Sequence, residues 1–153
     1  MKRAVLIFSI AVTSLIINCL FAQRLSFQTY TVQDGLIANP VRRIFQDSKG
    51  FIWIATWEGL SKYDGYKFTN YSTANGLSDN LINDLHETKD GKILIAENNG
   101  SVDMMMPDGT IKRNFFKDVI INQFFKTKNG NILGITDENG IYEINKGNFF
   151  KPV

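Results

Sequence analysis

The chain has 153 residues, 44% of them hydrophobic, including 12 Phe and 5 Tyr, which is about one domain's length and too apolar for a disordered segment. The formal charge of +2 includes Lys2 and Arg3 of a leader expected to be removed, and the neutral remainder has no electrostatic basis for binding nucleic acid or an anionic membrane surface. Cys19 is the only cysteine and His86 the only histidine, which excludes disulfides and thiolate zinc sites. Neither a metal nor any other cofactor is expected.

Residues 1–22 read as a signal peptide. Lys2 and Arg3 form a basic start, Ala4 to Ile17 an apolar run, and Leu20-Phe21-Ala22 a cleavage site before Gln23. Ser9, Thr13, Ser14 and Asn18 dilute the run and leave it short for a bilayer span. Asn18 stands where a small residue precedes a lipidated cysteine, so Cys19 is not read as a lipid anchor. Export of a chain without disulfides fits a bacterial periplasm.

From Gln23 to Val153 the pattern is short apolar runs between glycine-bearing turns, the signature of strands. Leu25 to Thr31 reads as a lone strand, and Gln33 to Pro40 as the connection after it. Four strands follow at Val41 to Gln46, Phe51 to Thr56, Leu60 to Tyr63 and Tyr66 to Tyr71. Asp47 to Gly50 suits a type I turn closed by a residue of positive φ, Glu58-Gly59 a second reversal, and Asp64-Gly65 a two-residue type I′ hairpin. A second set spans Leu81 to Thr88, Lys92 to Glu97, Val102 to Met106 and Thr110 to Phe115. The third set is Val119 to Thr127, Ile132 to Thr136, Ile141 to Ile144 and a fragment around Phe149-Phe150.

The sets repeat. Phe27, Tyr30, Gly35, Leu36 and Asn39 recur 41 residues later as Phe68, Tyr71, Gly76, Leu77 and Asn80, and Gly50 and Gly59 recur as Gly91 and Gly100. Gly130 and Gly140 continue the series at offsets of 39 and 40. Four strands in about 40 residues define a β-propeller blade. The expected fold is all-β: a partial β-propeller of three four-stranded antiparallel blades, about 41–71, 81–115 and 119–150, with 25–31 as an N-terminal closing strand. Three blades fall short of the roughly four to eight that close a ring. The chain is therefore expected to be a piece of a longer propeller, or to complete itself by self-association.

The stretch Asp47-Ser48-Lys49-Gly50-Phe51-Ile52-Trp53-Ile54-Ala55-Thr56, followed by Glu58-Gly59-Leu60 and Lys62-Tyr63-Asp64-Gly65, resembles the two-component regulator propeller repeat. Tyr30-Thr31-Val32-Gln33-Asp34-Gly35-Leu36 resembles the segment that opens such propellers. The chain departs from the pattern with Ala55 in place of Gly, and with Leu94 and Leu133 in place of Trp. The resemblance implies the periplasmic sensor region of a bacterial hybrid histidine-kinase-type protein, recognising an extracellular cue such as an oligosaccharide. Kinase, membrane span and remaining blades would then lie in a downstream segment, and this chain alone would not be an enzyme.

A meander alternates its turns between two ends, which places the connections Gln33 to Asn39 and Thr73 to Asn80 beside the turns at Trp57-Glu58, Asn98-Asn99 and Asp137 to Asn139. Ligands bind where loops of several blades converge, so Trp57, Glu58, Arg42, Arg43 and Asn39 are the candidate binding residues. Trp57 follows its strand and is placed to stack on a sugar ring or to pack on the next blade. Arg42 and Arg43 open the innermost strand and would bind carboxylates or sulfates, or pair with inter-blade acids such as Asp84. Trp53 is expected in the core, His86 as a structural imidazole and Met104-Met105-Met106 as filler between blades. Asp34, Glu58, Asp79 and Glu97 supply carboxylates without an evident pairing. A non-catalytic interaction scaffold and a propeller hydrolase or lyase are the competing readings.

Overall fold

The computed structural model describes residues 27–144 and 150–152. The leader, Cys19, the first two residues of the expected closing strand and the turn at Lys146-Gly147 lie outside the described residues. Three four-stranded antiparallel meanders follow one another. Blade 1 comprises β1 (Val41–Gln46), β2 (Ile52–Thr56), β3 (Leu60–Tyr63) and β4 (Phe68–Tyr71); blade 2 comprises β5 (Ile82–Glu87), β6 (Ile93–Glu97), β7 (Val102–Met105) and β8 (Ile111–Phe116). Blade 3 is β9 (Gln123–Lys126), β10 (Ile132–Ile135), β11 (Ile141–Ile144) and β12 (Phe150–Pro152). Residues 27–31 join no sheet. They run instead along blade 1, where the Tyr30 ring meets Tyr63 and Phe68.

Glycines make the turns possible. Gly50 adopts φ 88° and its N–H bonds the Asp47 carbonyl. Gly59, at φ 139°, lies so near blade 1's outer strand that a Cβ would fall 2.3 Å from the Tyr71 carbonyl oxygen, which no side chain permits. The Asp64-Gly65 reversal differs from the expected two-residue hairpin. Only Gly65 has positive φ, and Tyr63 pairs with Phe68 across a four-residue loop. The Asp64 carboxylate accepts from the Tyr66 and Lys67 N–H groups, an Asx arrangement that competes successfully with the tight turn and holds the Asp64 pKa below its ordinary value. The connections into blades 1 and 2 contain single 3₁₀ turns, Val32–Asp34 and Thr73–Asn75, each closed by a reciprocal capping box.

The core lies between sheets. Trp53, Ala55 and Leu60 of blade 1 pack on Leu85, Ile93, Ile95 and Met105 of blade 2. Leu94, Ala96, Val102 and Met104 on blade 2's other face pack on Phe124 and Ile132 of blade 3. Adjacent methionines thus fill opposite seams, as strand alternation requires. The His86 ring sits between Phe45 and Phe124, with centroids at 6.2 and 6.4 Å, and burial lowers its pKa.

Polar groups register the blades. Asp84, 1% exposed, pairs with Arg43 Nε at 2.8 Å and accepts from the Phe124 N–H, so one carboxylate touches all three innermost strands. Ser48 donates through N and Oγ to Glu87 across the first seam. Within blade 1, Asp47 accepts from the Lys49 and Phe51 N–H groups and from the indole N–H of Trp53 at 2.8 Å. Where Leu94 replaces that indole, Thr88 stands in Asp47's place and accepts from Lys92 N; Thr127 does the same beneath Leu133, accepting from Asn131 N. The carboxylate is needed only where an indole N–H must be satisfied. Asp47→Ala is therefore expected to destabilise the fold by about 2 kcal/mol in urea titration, through the unpaired buried indole. The pair Asp47→Thr with Trp53→Leu should cost less than the sum of its single substitutions.

Candidate functional site

The face bearing the inter-blade connections is assembled by hydrogen bonds between those connections and the turns joining the second and third strands. Asn98 N donates to Leu81 O, Asn99 Nδ2 to Ser78 O, and Asn122 N to Ile135 O. In blade 1 the Ile37 N–H donates to Ser61 Oγ beneath the turn. The turns are stiffened from below: Thr56 Oγ1 donates to Gly59 O and accepts from Glu58 N, and Thr136 does the same with Gly140 O and Asn139 N.

Trp57 projects from the first of these turns, 61% exposed, although its backbone neighbours are fully tied. The register sets Val41 opposite Thr56, so Arg42 and Trp57 lie at the same end of the sheet. Arg42, at a β-bulge, and Glu58 are exposed. An indole face beside a guanidinium and a carboxylate can stack on an apolar ring face while hydrogen-bonding its rim. Arg43 takes the structural of its two expected roles, paired with Asp84. Asn39 is exposed, but its carbonyl caps the connection by accepting from Val32 N, as Asn80 does for Thr73. At blade 3 the same face holds a cleft of about 290 Å³ lined by Asp118, Ile120, Asn122 and Thr136 to Asn139. Among the described residues, a 40 Å³ cavity lies on the opposite face in the first seam, where Lys62 Nζ stacks 3.6 Å from the Phe51 ring centre, room for a water molecule.

Sequence reasoning missed the most unusual polar cluster on this face. Where blades 1 and 3 have Thr56 and Thr136, blade 2 has Glu97, and where blade 1 has Ser61 it has Asp103. Both carboxyl groups are 0% exposed. Asp103 accepts from Ser78 N and Oγ and from Asn114 N, the last delivered by a β8 bulge with Asn114 at φ 48°. Glu97 accepts from Ser78 N, and burial followed by the neighbouring Asp103 charge pushes its pKa up to about 9. Glu97 therefore keeps its proton at neutral pH. Of the four carboxylates singled out in the sequence, Asp34 and Asp79 instead cap their own connections. The signal available was the loss of a repeated Thr at Glu97.

The folded chain keeps the Glu97 proton between the ordinary glutamate pKa of 4.5 and about 9, where the unfolded chain has released it, so this group subtracts stability as pH rises through that window. Glu97→Gln, whose amide can donate to Asp103, should gain stability relative to wild type as pH goes from 5 toward 9. Parallel urea titrations read this difference, and a pH-independent difference would contradict the raised Glu97 pKa.

Each blade of this all-β fold is a propeller blade. Residues 35–58 match the "Two component regulator propeller" family, and the chain carries that family's repeat. It is 37% identical over 71 residues to Histidine kinase P4 of Formosa agariphila, a match that covers 45% of this chain and 5% of that protein. Among solved structures it resembles extracellular domains of two putative hybrid two component systems from B. thetaiotaomicron. One has a TM-score of 0.65 at 22% identity, covering 78% of this chain and 17% of the other. The second has a TM-score of 0.66 at 22% identity, covering 86% and 19%. A virginiamycin B lyase from Staphylococcus aureus aligns with a TM-score of 0.64 at 21% identity, over 84% and 44%. The chain thus spans a small part of the sensor proteins it matches, and the fold alone is shared by sensors and a lyase.

Proposed function

We propose that this chain is a ligand-recognition part of an exported two-component sensor, and that its own role is binding rather than catalysis. The family repeat at residues 35–58 supports the sensor reading, as do the extracellular hybrid two component neighbours. No helix among the described residues is long and apolar enough to cross a membrane. Anchoring and phosphoryl transfer would fall to other segments of a longer protein, with the leader directing export to the periplasm.

The observation that carries the binding site is Trp57, an exposed indole on a turn fixed by Thr56 and Gly59. A rigid, exposed aromatic loses little entropy on stacking, and the polar groups of Arg42 and Glu58 at the same end suit the rim of a sugar ring. The chemical class proposed is an oligosaccharide, contacted by Trp57, Glu58 and Arg42, with Arg43 and Asn39 positioning the strand and connection beneath them.

Trp57 and Trp53 are the only tryptophans, and Trp53 is buried, so fluorescence separates them. Oligosaccharide binding should change only the quenchable, exposed emission. Trp57→Ala should weaken binding by about tenfold or more, a loss of at least 1.4 kcal/mol, without moving the unfolding midpoint. Unchanged affinity in a folded Trp57→Ala variant would refute the stacking site, and product formation from the glycan would refute the non-catalytic reading.

A further inference from the structure

One ionisable side chain stands where the repeat otherwise places an aromatic hydrocarbon. By register, Phe45 opposite Trp53 in blade 1, His86 opposite Leu94 in blade 2 and Phe125 opposite Leu133 in blade 3 occupy one position of the inner strand. His86 belongs to the middle blade, and blades 1 and 3 close on it from both sides, with the Phe45 and Phe124 rings at 6.2 and 6.4 Å. Further blades on either outer face would leave these neighbours in place. The imidazole Nε2 is buried, with no hydrogen-bond partner among the described residues.

The charged groups around the imidazole leave it no free acceptor. Arg43 of β1 and Lys126 of β9 face it, and both oppose a further positive charge. Its own strand supplies Asp84 and Glu87, which favour one, but each carboxylate is already committed across a seam. Asp84 holds Arg43 Nε at 2.8 Å and accepts from the Phe124 N–H at 2.6 Å. Glu87 accepts from Ser48 N and Oγ at 2.8 and 2.7 Å. A neutral imidazole has one N–H donor, whereas the protonated ring has two and a charge. Satisfying that ring means withdrawing Asp84 or Glu87 from the bonds that join blade 2 to its neighbours. Leaving it unsatisfied puts an unpaired charge in the seam.

We propose that His86 is an acid-sensitive latch: proton uptake by its imidazole below neutral pH loosens the inner strands of blades 1 and 3 from blade 2. A phenyl ring, which the other two blades have at this position, takes up no proton. The latch's use rests on the exported-sensor reading, in which the surroundings set the pH that the blades meet; the acid response itself does not. Linkage gives its direction. Burial, then Lys126, lowers the His86 pKa below the ordinary 6.5, so the unfolded chain binds the proton first, and stability falls as pH drops from 6.5 through the folded-state value. Each unit of separation is worth about tenfold in the ratio of folded to unfolded chain. Asp84 and Glu97, whose pKa values burial raises, act in the opposite sense, so the test compares two chains that both retain them.

Wild type and His86→Phe, each as the full chain, are compared at about pH 7.5 and about pH 5.5, on either side of the ordinary histidine range. In urea titration the variant should gain on wild type at the lower pH by about tenfold or more in folded-to-unfolded ratio. Hydrogen exchange at the Phe124 and Ser48 amides, which cross the two seams, should quicken in wild type relative to the variant at the lower pH only. Because His86 is the only histidine, its imidazole proton resonances titrate without overlap, and their midpoint should lie below 6.5. In wild type alone, protection of the two amides should fall with that same midpoint, a reading that does not need the variant to fold. A midpoint at or above 6.5, or amide protection that does not follow it, would overturn the latch. So would a difference between wild type and His86→Phe that is the same at both pH values.

Discussion

Every stable feature of this molecule depends on sheet stacking against sheet. A four-stranded meander is one layer thick and has no interior of its own, so its apolar side chains leave water only when a neighbouring meander covers them. Blade 2 is covered on both sides and holds most of the fully buried side chains, among them Leu85, Leu94, Ile95 and Val102. Asp84 shows why the stacking has one register. Its desolvation raises its pKa, yet the Arg43 guanidinium and the Phe124 N–H meet it from opposite sides, and a sheet displaced by one residue would leave a buried charge unpaired.

That stacking also divides the labour between the two ends of the blades. At one end, Asp47, Thr88 and Thr127 close turns that are occupied with their own N–H groups and with the seam. At the other, the connections and turns are held from beneath, by Thr56 and Thr136 in two blades and by the Glu97 and Asp103 carboxyl groups, which accept from Ser78, in the third. The outer surface of that end is thereby released from structural duty. An indole such as Trp57 can stand exposed there without disordering the backbone that carries it, which is the condition a recognition surface needs.

Much of this was legible in the sequence because it depends on local chemistry repeated at a fixed interval. Glycines at positive φ and runs of alternating aromatic and aliphatic residues located the twelve strands to within a few residues. Among the twelve, the largest difference is β9, which begins at Gln123 rather than Val119, because the preceding residues form a connection anchored by buried Ile121. Trp53 as core, His86 as a structural imidazole and the methionines as seam filler follow from strand alternation. The Asp64 loop differs from the expected hairpin because the Asp64 side chain takes the Tyr66 and Lys67 N–H groups while the Asp64 N–H bonds the Lys67 carbonyl, which shifts the reversal one residue along. The Glu97 and Asp103 pair was hidden for a different reason: it joins acids from adjacent strands across a turn one residue longer than its counterpart in blade 1, so a uniform repeat offset misaligns Asp103 with Lys62 instead of Ser61. Surface recognition lies beyond periodicity altogether, since Trp57 is distinguished from Trp53 only by the exposure the fold confers.

The central claim is that three upright sheets stand side by side, each covering the next, and the single histidine reports on it. Nuclear Overhauser effects from the His86 imidazole protons should reach the rings of both Phe45 in blade 1 and Phe124 in blade 3. Contacts to only one ring, or to neither, would contradict the stacking on which the rest of the account stands.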